Sequence, residues 1–104
     1  MQYNEIVKSI EDTYKTRVEL FKKKSDDYAD ADALSNFKRM AIICKELRVD
    51  VTTPFGCAMF LKLLKIDRIT NLCTKGAKPS NESIEDSFVD EMNYTDLAKA
   101  ILKE

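Results

Sequence analysis

The last third of the sequence carries a row of acidic side chains whose spacing could hold a metal ion. Glu82, Asp86 and Asp90 follow one another at intervals of four residues, and Asn93 comes three residues later. On an α-helix this spacing places all four on one narrow stripe. Carboxylate oxygens bind hard cations such as Mg²⁺, which can activate water and polarise phosphoryl oxygens. The stripe is therefore the first candidate for a catalytic metal site.

The same stripe continues into two apolar residues, Leu97 and Ile101, so it should border the buried side of its helix. Carboxylates beside a core repel one another unless a cation or a hydrogen-bond donor compensates them. The alternative is a solvated helix N-terminus, where the helix dipole favours acidic residues. That alternative explains Glu82 better than Asp90 and Asn93, which lie two and three turns into the helix.

A row of cations lies in the preceding apolar stretch. Lys62, Lys65 and Arg68 are spaced three residues apart. Cations on a mostly apolar helix need an anionic partner. The acidic stripe could supply that partner in a network of internal ion pairs. In the other interpretation the cations bind a phosphate while the carboxylates hold a metal. The sequence is compatible with both.

Aromatic and amide side chains elsewhere could contact a base or a ribose. The acidic stretch 25–33 is expected to form a loop. Its Tyr28 could stack on a base or pack the loop against the core. Asn36 begins the next helical pattern, close to the basic residues Lys38 and Arg39. Those two cations are either solvated or part of a nucleotide pocket. Tyr94 follows the acidic stripe directly.

Composition limits the class of protein. The chain has 104 residues, 44% of them apolar and 34% charged, with two glycines and two prolines, so one helical domain is expected. Because the chain has no histidine, serine–histidine and cysteine–histidine catalysis are excluded. The net charge of −1 gives no general attraction to nucleic acid or to an anionic membrane. With no signal peptide or long apolar run, we expect a cytoplasmic protein with reduced, buried cysteines.

Apolar periodicity predicts four helices, at about 4–24, 34–47, 54–75 and from 80–83 to near the C-terminus. Thr53 and Pro54 are typical of a helix N-terminus, and Gly76 of a helix end. Ser83 and Asp86 resemble a capping box. The third helix is the most apolar and should lie at the centre of an all-α four-helix bundle. On the fourth helix, the residues expected to be buried are Ile84, Phe88, Val89 and Met92.

Four segments carry a resemblance to a known family. Asp-Tyr-Ala-Asp at 27–30 is followed by Leu-Ser-Asn-Phe-Lys-Arg at 34–39 and Leu-Leu-Lys-Ile-Asp-Arg-Ile at 63–69. The last segment is Glu-Ser-Ile-Glu-Asp-Ser-Phe-Val-Asp-Glu-Met-Asn-Tyr at 82–94. In this order they resemble small phage and prophage proteins similar to the MazG-like all-α nucleoside triphosphate pyrophosphatases, including the nucleotide-modification-associated domain 1 group. The resemblance covers roughly residues 22–102.

The resemblance implies a homodimer or homotetramer of helical bundles that uses Mg²⁺ to split a nucleoside triphosphate into the monophosphate and pyrophosphate. The family's Glu-Glu-x-x-Asp motif falls on Asp86, Ser87 and Asp90, with Glu82 as a further catalytic metal ligand. Its Glu-x-x-Glu motif falls on Lys62 and Lys65, which cannot bind a cation. The expected function is therefore either an Mg²⁺-dependent pyrophosphohydrolase or a non-catalytic nucleotide-binding or protein-interaction module. The substrate-binding candidates are Lys62, Lys65, Arg68, Asn36, Tyr28, Asn93 and Tyr94.

Overall fold

The computed structural model describes residues 1–28, 32–76 and 83–104, and those residues form four α-helices and no strand. The helices are α1 (Tyr3–Tyr28), α2 (Ser35–Leu47), α3 (Pro54–Lys75) and α4 (Ile84–Lys103). The all-α class and the number of helices predicted from the sequence are confirmed. None of the described helices combines the length and the apolar character needed to cross a membrane.

Local sequence signals set most of the helix ends. Thr53 caps α3, its hydroxyl accepting a hydrogen bond from the Gly56 N–H at 3.0 Å, and Pro54 occupies the first turn. Gly76 ends α3 in the left-handed conformation, with a φ of 63°. Ser83 caps α4 by accepting a hydrogen bond from the Asp86 N–H at 3.0 Å. The predicted ends of α3 and the predicted capping pair of α4 are confirmed.

The prediction of a loop from residue 25 is wrong for its first residues, because α1 continues as a helix to Tyr28. The added turn is anchored on α3. The Asn71 side-chain amide donates to the Asp27 carbonyl at 3.2 Å, and the Lys75 ammonium donates to the Asp26 carbonyl at 3.1 Å. These contacts compensate for the poor helix propensity of Ser25 and the two aspartates.

Among the described residues, the main helix–helix contacts all involve α3: α4 packs along it most extensively, and α1 and α2 touch it over shorter lengths. The central position predicted for the third helix is therefore confirmed. The chain is elongated, measuring 54 × 36 × 25 Å. Its buried apolar side chains are few: in the described part of the chain they are Met40, Ala58, Ile69, Leu72 and Ala98.

The orientation predicted for α4 is wrong. Phe88, Val89 and Met92 are exposed, and the fully buried residues of α4 are the small Ser87 and Ala98. The face of α4 that packs on α3 is rotated about the helix axis, by about a third of a full turn, from the face predicted to be buried. The small side chains of α4 allow it to approach α3 closely. Because α4 has apolar residues on two of its faces, the sequence pattern does not show which face packs on α3.

The connection between α2 and α3 is tight at Gly56. A Cβ atom on Gly56 would lie 1.6 Å from the Asp50 carbonyl oxygen, so no larger residue fits there without moving the backbone. The same carbonyl accepts hydrogen bonds from the Thr53 N–H and hydroxyl at 3.2 and 2.8 Å. The Thr52 hydroxyl and N–H hold the pKa of the Asp50 carboxyl below its ordinary value. The turn therefore fixes how α3 begins.

The cysteine prediction is only partly right. Cys44, Cys57 and Cys73 are all free thiols, but only Cys44 is half-buried, while Cys57 and Cys73 are exposed. The Cys57 thiol lies 2.9 Å from the Val51 carbonyl oxygen, in hydrogen-bond contact with it. Both exposed cysteines are on α3, whose apolar residues extend beyond the faces that the other helices cover.

Candidate functional site

The three cations of the predicted row on α3 each lie close to a carboxylate, but the carboxylates are on two different helices. The Lys65 ammonium lies 3.2 Å from the Asp90 carboxylate, and the Lys62 ammonium lies 3.5 Å from Glu91, both on α4. Arg68 instead binds Asp27 on α1, with 2.7 Å between the guanidinium and the carboxylate. The predicted ion pairing with the acidic stripe is therefore right for Lys65. The partner of Lys62 is a neighbour of the stripe on α4, and the partner of Arg68 lies on α1.

Arg68 is the centre of a buried polar junction between three segments of the chain. Its side chain is 1% exposed, as is that of Asp27. The guanidinium also donates to the Ser87 hydroxyl at 2.5 Å and to the Ser83 carbonyl at 3.3 Å. Each of these bonds joins α3 to another helix or to its cap. Since an uncompensated charge in such a position is very costly, the junction fixes α1 and α4 on α3.

A second arginine makes a similar but shallower junction. Arg39 of α2 forms a two-pronged ion pair with Asp67 of α3, with bonds of 2.7 and 3.2 Å. The same guanidinium donates to the Tyr28 carbonyl at 3.0 Å, which joins the end of α1 to α2. The Asp67 side chain is 5% exposed and that of Arg39 is 35% exposed. Arg39 therefore holds the end of α1, α2 and α3 together at the rim of the protein.

The acidic stripe of α4 is only partly beside the core. Asp90 is half-buried against Lys65, whereas Asp86 and Asn93 are exposed. Glu82 lies outside the described residues. Within the described ranges, no three carboxylate or thiol side chains lie together as a metal site would require. An ammonium group 3.2 Å from Asp90 also stands where a metal ion bound by that carboxylate would need room.

A concave space of about 420 Å³ lies where the end of α1 meets the beginning of α2, and α3 closes its floor through Leu64. Two of the predicted substrate-binding residues, Tyr28 and Asn36, line it together, whereas Asn93 and the half-buried Tyr94 are not among its lining residues. The other residues around the space are Phe21, Lys24, Ser25, Ala33, Leu34 and Phe37. The structure thus brings together an aromatic wall, an amide and a cation.

Asn36 is the polar side chain set deepest in this pocket, at 8% exposure. Within the described part of the chain, its amide forms no hydrogen bond. The amide has two donor hydrogens and one acceptor oxygen. These atoms are not fully enclosed, so they reach the open space of the pocket, where a ligand could bind them.

The first turn of α2 also faces this region. Leu34 stands at the N-cap position and makes no side-chain cap, so the N–H groups of the first turn are not satisfied by a side chain there. Nearby, Lys38 pairs with Asp32, and this ion pair together with the Leu34 N–H holds the pKa of the Asp32 carboxyl below its ordinary value. The helix end is therefore positive, with one exposed carboxylate at its edge.

Sequence reasoning missed the residues that make the two junctions. Asp27 lies in the stretch predicted as a loop, Ser87 occupies a mismatched position of the family motif, and no role is predicted for Asp67. Nothing in their neighbours marks them, because a single Asp or Ser in a helix is ordinary on a solvated face. No protein-family model, curated protein or solved structure matches the chain.

Proposed function

We propose that this chain is a non-catalytic nucleotide-binding module on a MazG-like helical fold. The observation that carries the proposal is the pocket between α1 and α2, in which Asn36 is buried and Tyr28 and Phe37 supply aromatic surface. Aromatic rings stack on nucleobases, and an asparagine amide can donate to and accept from a base edge. The all-helical architecture and the four segments of family resemblance support the fold assignment.

The phosphate end of the ligand would lie toward two positive features at the mouth of the pocket. Lys24 lines the pocket from α1, and the first turn of α2 has no side-chain cap. The Ser35 N–H in that turn donates to the Asp32 carbonyl at 3.0 Å. A helix N-terminus and a lysine together are a suitable arrangement for a phosphate group. Asp32 at the same edge is paired with Lys38, which reduces its repulsion of an anion.

The non-catalytic form of the proposal rests on the lysines of α3. Lys62 and Lys65 stand where the resemblance would require metal-binding glutamates, and they are engaged with Glu91 and Asp90. Their charge opposes the approach of a divalent cation to the same carboxylates. Mg²⁺-dependent hydrolysis through Glu82, Asp86 and Asp90 is the competing function, favoured by the exposed position of Asp86.

The test is a thermal-shift panel of ribonucleotides and deoxyribonucleotides, each with Mg²⁺ and with EDTA. A ligand at about 100 times its dissociation constant stabilises a protein by about 2.7 kcal/mol, which raises Tm by several degrees. We expect a shift that persists in EDTA and is lost in Asn36→Ala. The matched control is Asn93→Ala, on the exposed side of α4, which should bind like the wild type.

Two outcomes would reject the proposal. If no nucleotide stabilises the folded protein, the pocket is not a nucleotide site. If the protein releases pyrophosphate from a nucleoside triphosphate only with Mg²⁺, and Asp90→Asn abolishes the release while preserving the helical circular dichroism, the chain is a hydrolase.

A further inference from the structure

The N-terminal half of α1 forms a helix without packing on the rest of the described chain. Every residue from Met1 to Arg17 is exposed, and Val18 is the first that is half-buried. The helical part of this segment would extend about 22 Å from the protein body. Helices of this length are marginal in water unless one face packs on something. This segment therefore lacks the contact that would normally stabilise it.

The exposed segment carries an apolar seam, defined here as Tyr3, Val7, Ile10 and Tyr14. The intervals are four, three and four residues, the alternation that places side chains in a line in a two-helix coiled coil. Tyr3, Ile10 and Tyr14 are 79, 64 and 65% exposed. At the next position of the repeat stands Arg17, so the apolar line ends there. The seam is short, continuous and uncovered.

The whole chain exposes more surface than a folded protein of its mass should. A protein of 11.9 kDa is expected to expose about 5,950 Å², and this one exposes 7,836 Å². Its radius of gyration is 17.4 Å, against about 13 Å for a compact chain of this length. The excess of about 1,900 Å² belongs to the whole chain, and it exceeds the ~800 Å² that one partner contributes to a standard stable interface. The exposed segment of α1 contributes part of this uncovered surface.

We propose that the α1 seam is a self-association surface on which the same segment of a second copy lies antiparallel. A two-fold axis between Lys8 and Ser9 pairs each seam residue with the partner's seam residue for which the two residue numbers add up to 17. Tyr3 then meets Tyr14 of the partner subunit, and Val7 meets the partner's Ile10. The seam is thus complementary to itself, as a two-fold interface requires.

The flanking charges favour the antiparallel arrangement. In a parallel pair, the partner's Glu11 would lie against Ile6, an exposed apolar residue beside the seam. The antiparallel pair instead places Glu11 on the same side as the partner's Lys8, and the two-fold axis repeats this contact. Residues 1–17 contain three acidic and three basic side chains, so two copies do not repel each other. This inference is independent of the nucleotide proposal, which concerns the other end of α1.

The test is the molar mass of the full chain by light scattering or sedimentation over a range of concentrations. The expected result is a dimer, twice 11.9 kDa, at concentrations of about 10–100 μM, the range of a moderate interface. Ile10→Asp should give a monomer with unchanged folding of the body. The matched control is Ile42→Asp, because Ile42 of α2 has the same exposure of 64% as Ile10; it should remain a dimer.

A charge exchange tests the orientation. Glu11→Lys should weaken the dimer, and adding Lys8→Glu to the same chain should restore it. A wild-type chain that stays monomeric at all these concentrations would overturn the proposal. So would a dimer that survives Ile10→Asp, or one lost equally in Ile42→Asp. If the double variant is no better than Glu11→Lys alone, the antiparallel register is wrong.

Discussion

Two neighbouring members of the cation row on α3, Arg68 and Lys65, have different surroundings. Arg68 is 1% exposed and bonded to Asp27, Ser87 and a backbone carbonyl, whereas Lys65 is 15% exposed and its partner Asp90 is 41% exposed. The residues look equivalent in the sequence, since both are cations on one apolar helix. Burial makes the difference, because a desolvated charge depends on its partner while a half-solvated charge can exchange its partner for water.

The buried arginine therefore serves the fold, whereas the more exposed lysines remain available for binding. The Arg68 junction holds three helical segments in place, so its side chains are committed to the fold. The lysine pairs are weaker and closer to solvent, and they can exchange partners at little cost. Arg39 is intermediate, because its partner Asp67 is buried while its own side chain is 35% exposed. The three sites therefore form a graded series in which the cost of breaking an ion pair should follow its burial.

The largest expected effect is at the buried junction. Arg68→Met leaves Asp27 charged and buried without its guanidinium, so the free energy of unfolding should fall by about 3–5 kcal/mol. Urea denaturation followed by circular dichroism measures it. Adding Asp27→Leu removes the orphaned charge and should recover most of the loss. A loss of less than about 1 kcal/mol in the single variant would show that the junction is not a stability determinant.

An intermediate effect is expected at the rim. Asp67→Asn removes the charge that binds Arg39 but keeps a similar shape, and the lost charged hydrogen bonds should cost about 1.5–3 kcal/mol. The same denaturation experiment measures the change. Asp96→Asn on the exposed side of α4 is the control and should be within experimental error of wild type. If Asp67→Asn is also neutral, burial does not rank these pairs.

The lysine pairs should contribute least among the three sites on α3. Lys65→Met removes the ion pair with Asp90 while keeping the aliphatic part of the side chain, and the expected loss is about 0.2–1 kcal/mol. Lys99→Met, at an exposed position of α4, serves as the reference. A loss equal to that of Arg68→Met would contradict the proposed dependence on burial.

The exposed ion pair between Lys38 and Asp32 is the least buried of the series. Because Lys38 and the Leu34 N–H lower the pKa of Asp32, this carboxylate adds stability at neutral pH that is lost as the pH falls below about 4. Lys38→Ala removes the largest cause of the shift, so the variant should lose less stability than wild type between pH 7 and acid. Unfolding curves at several pH values give the comparison. An unchanged pH dependence would mean that this pair does not couple to folding.

Much of the fold was predictable because helix ends depend on neighbouring residues. Thr53, Pro54 and Gly76 mark α3 correctly, and Ser83 marks the beginning of α4, since capping bonds span only three or four residues. The end of α1 was predicted too early. Its last turn is stabilised by Asn71 and Lys75, which lie more than forty residues away in the chain.

The candidate site was predictable only as a set of residue types. Tyr28 and Asn36 are both predicted binding residues, and they line one pocket in the structure. The same pocket is also lined by Phe21, from the preceding turns of α1. Asp86 and Asp90 do lie one helical turn apart on α4, as their spacing predicts. They differ in exposure because of the way α4 is rotated against α3.

By itself the sequence determined the helical class, the helix boundaries with local caps, and the row of cations on α3. These follow from short-range hydrogen bonding and from a periodicity that repeats within each helix. Only the tertiary structure decided that Arg68 turns to Asp27, that Gly56 must have no side chain, and that small residues of α4 face α3. Each of these depends on atoms that are distant in the chain and close in space, where burial and contact distance set the energy.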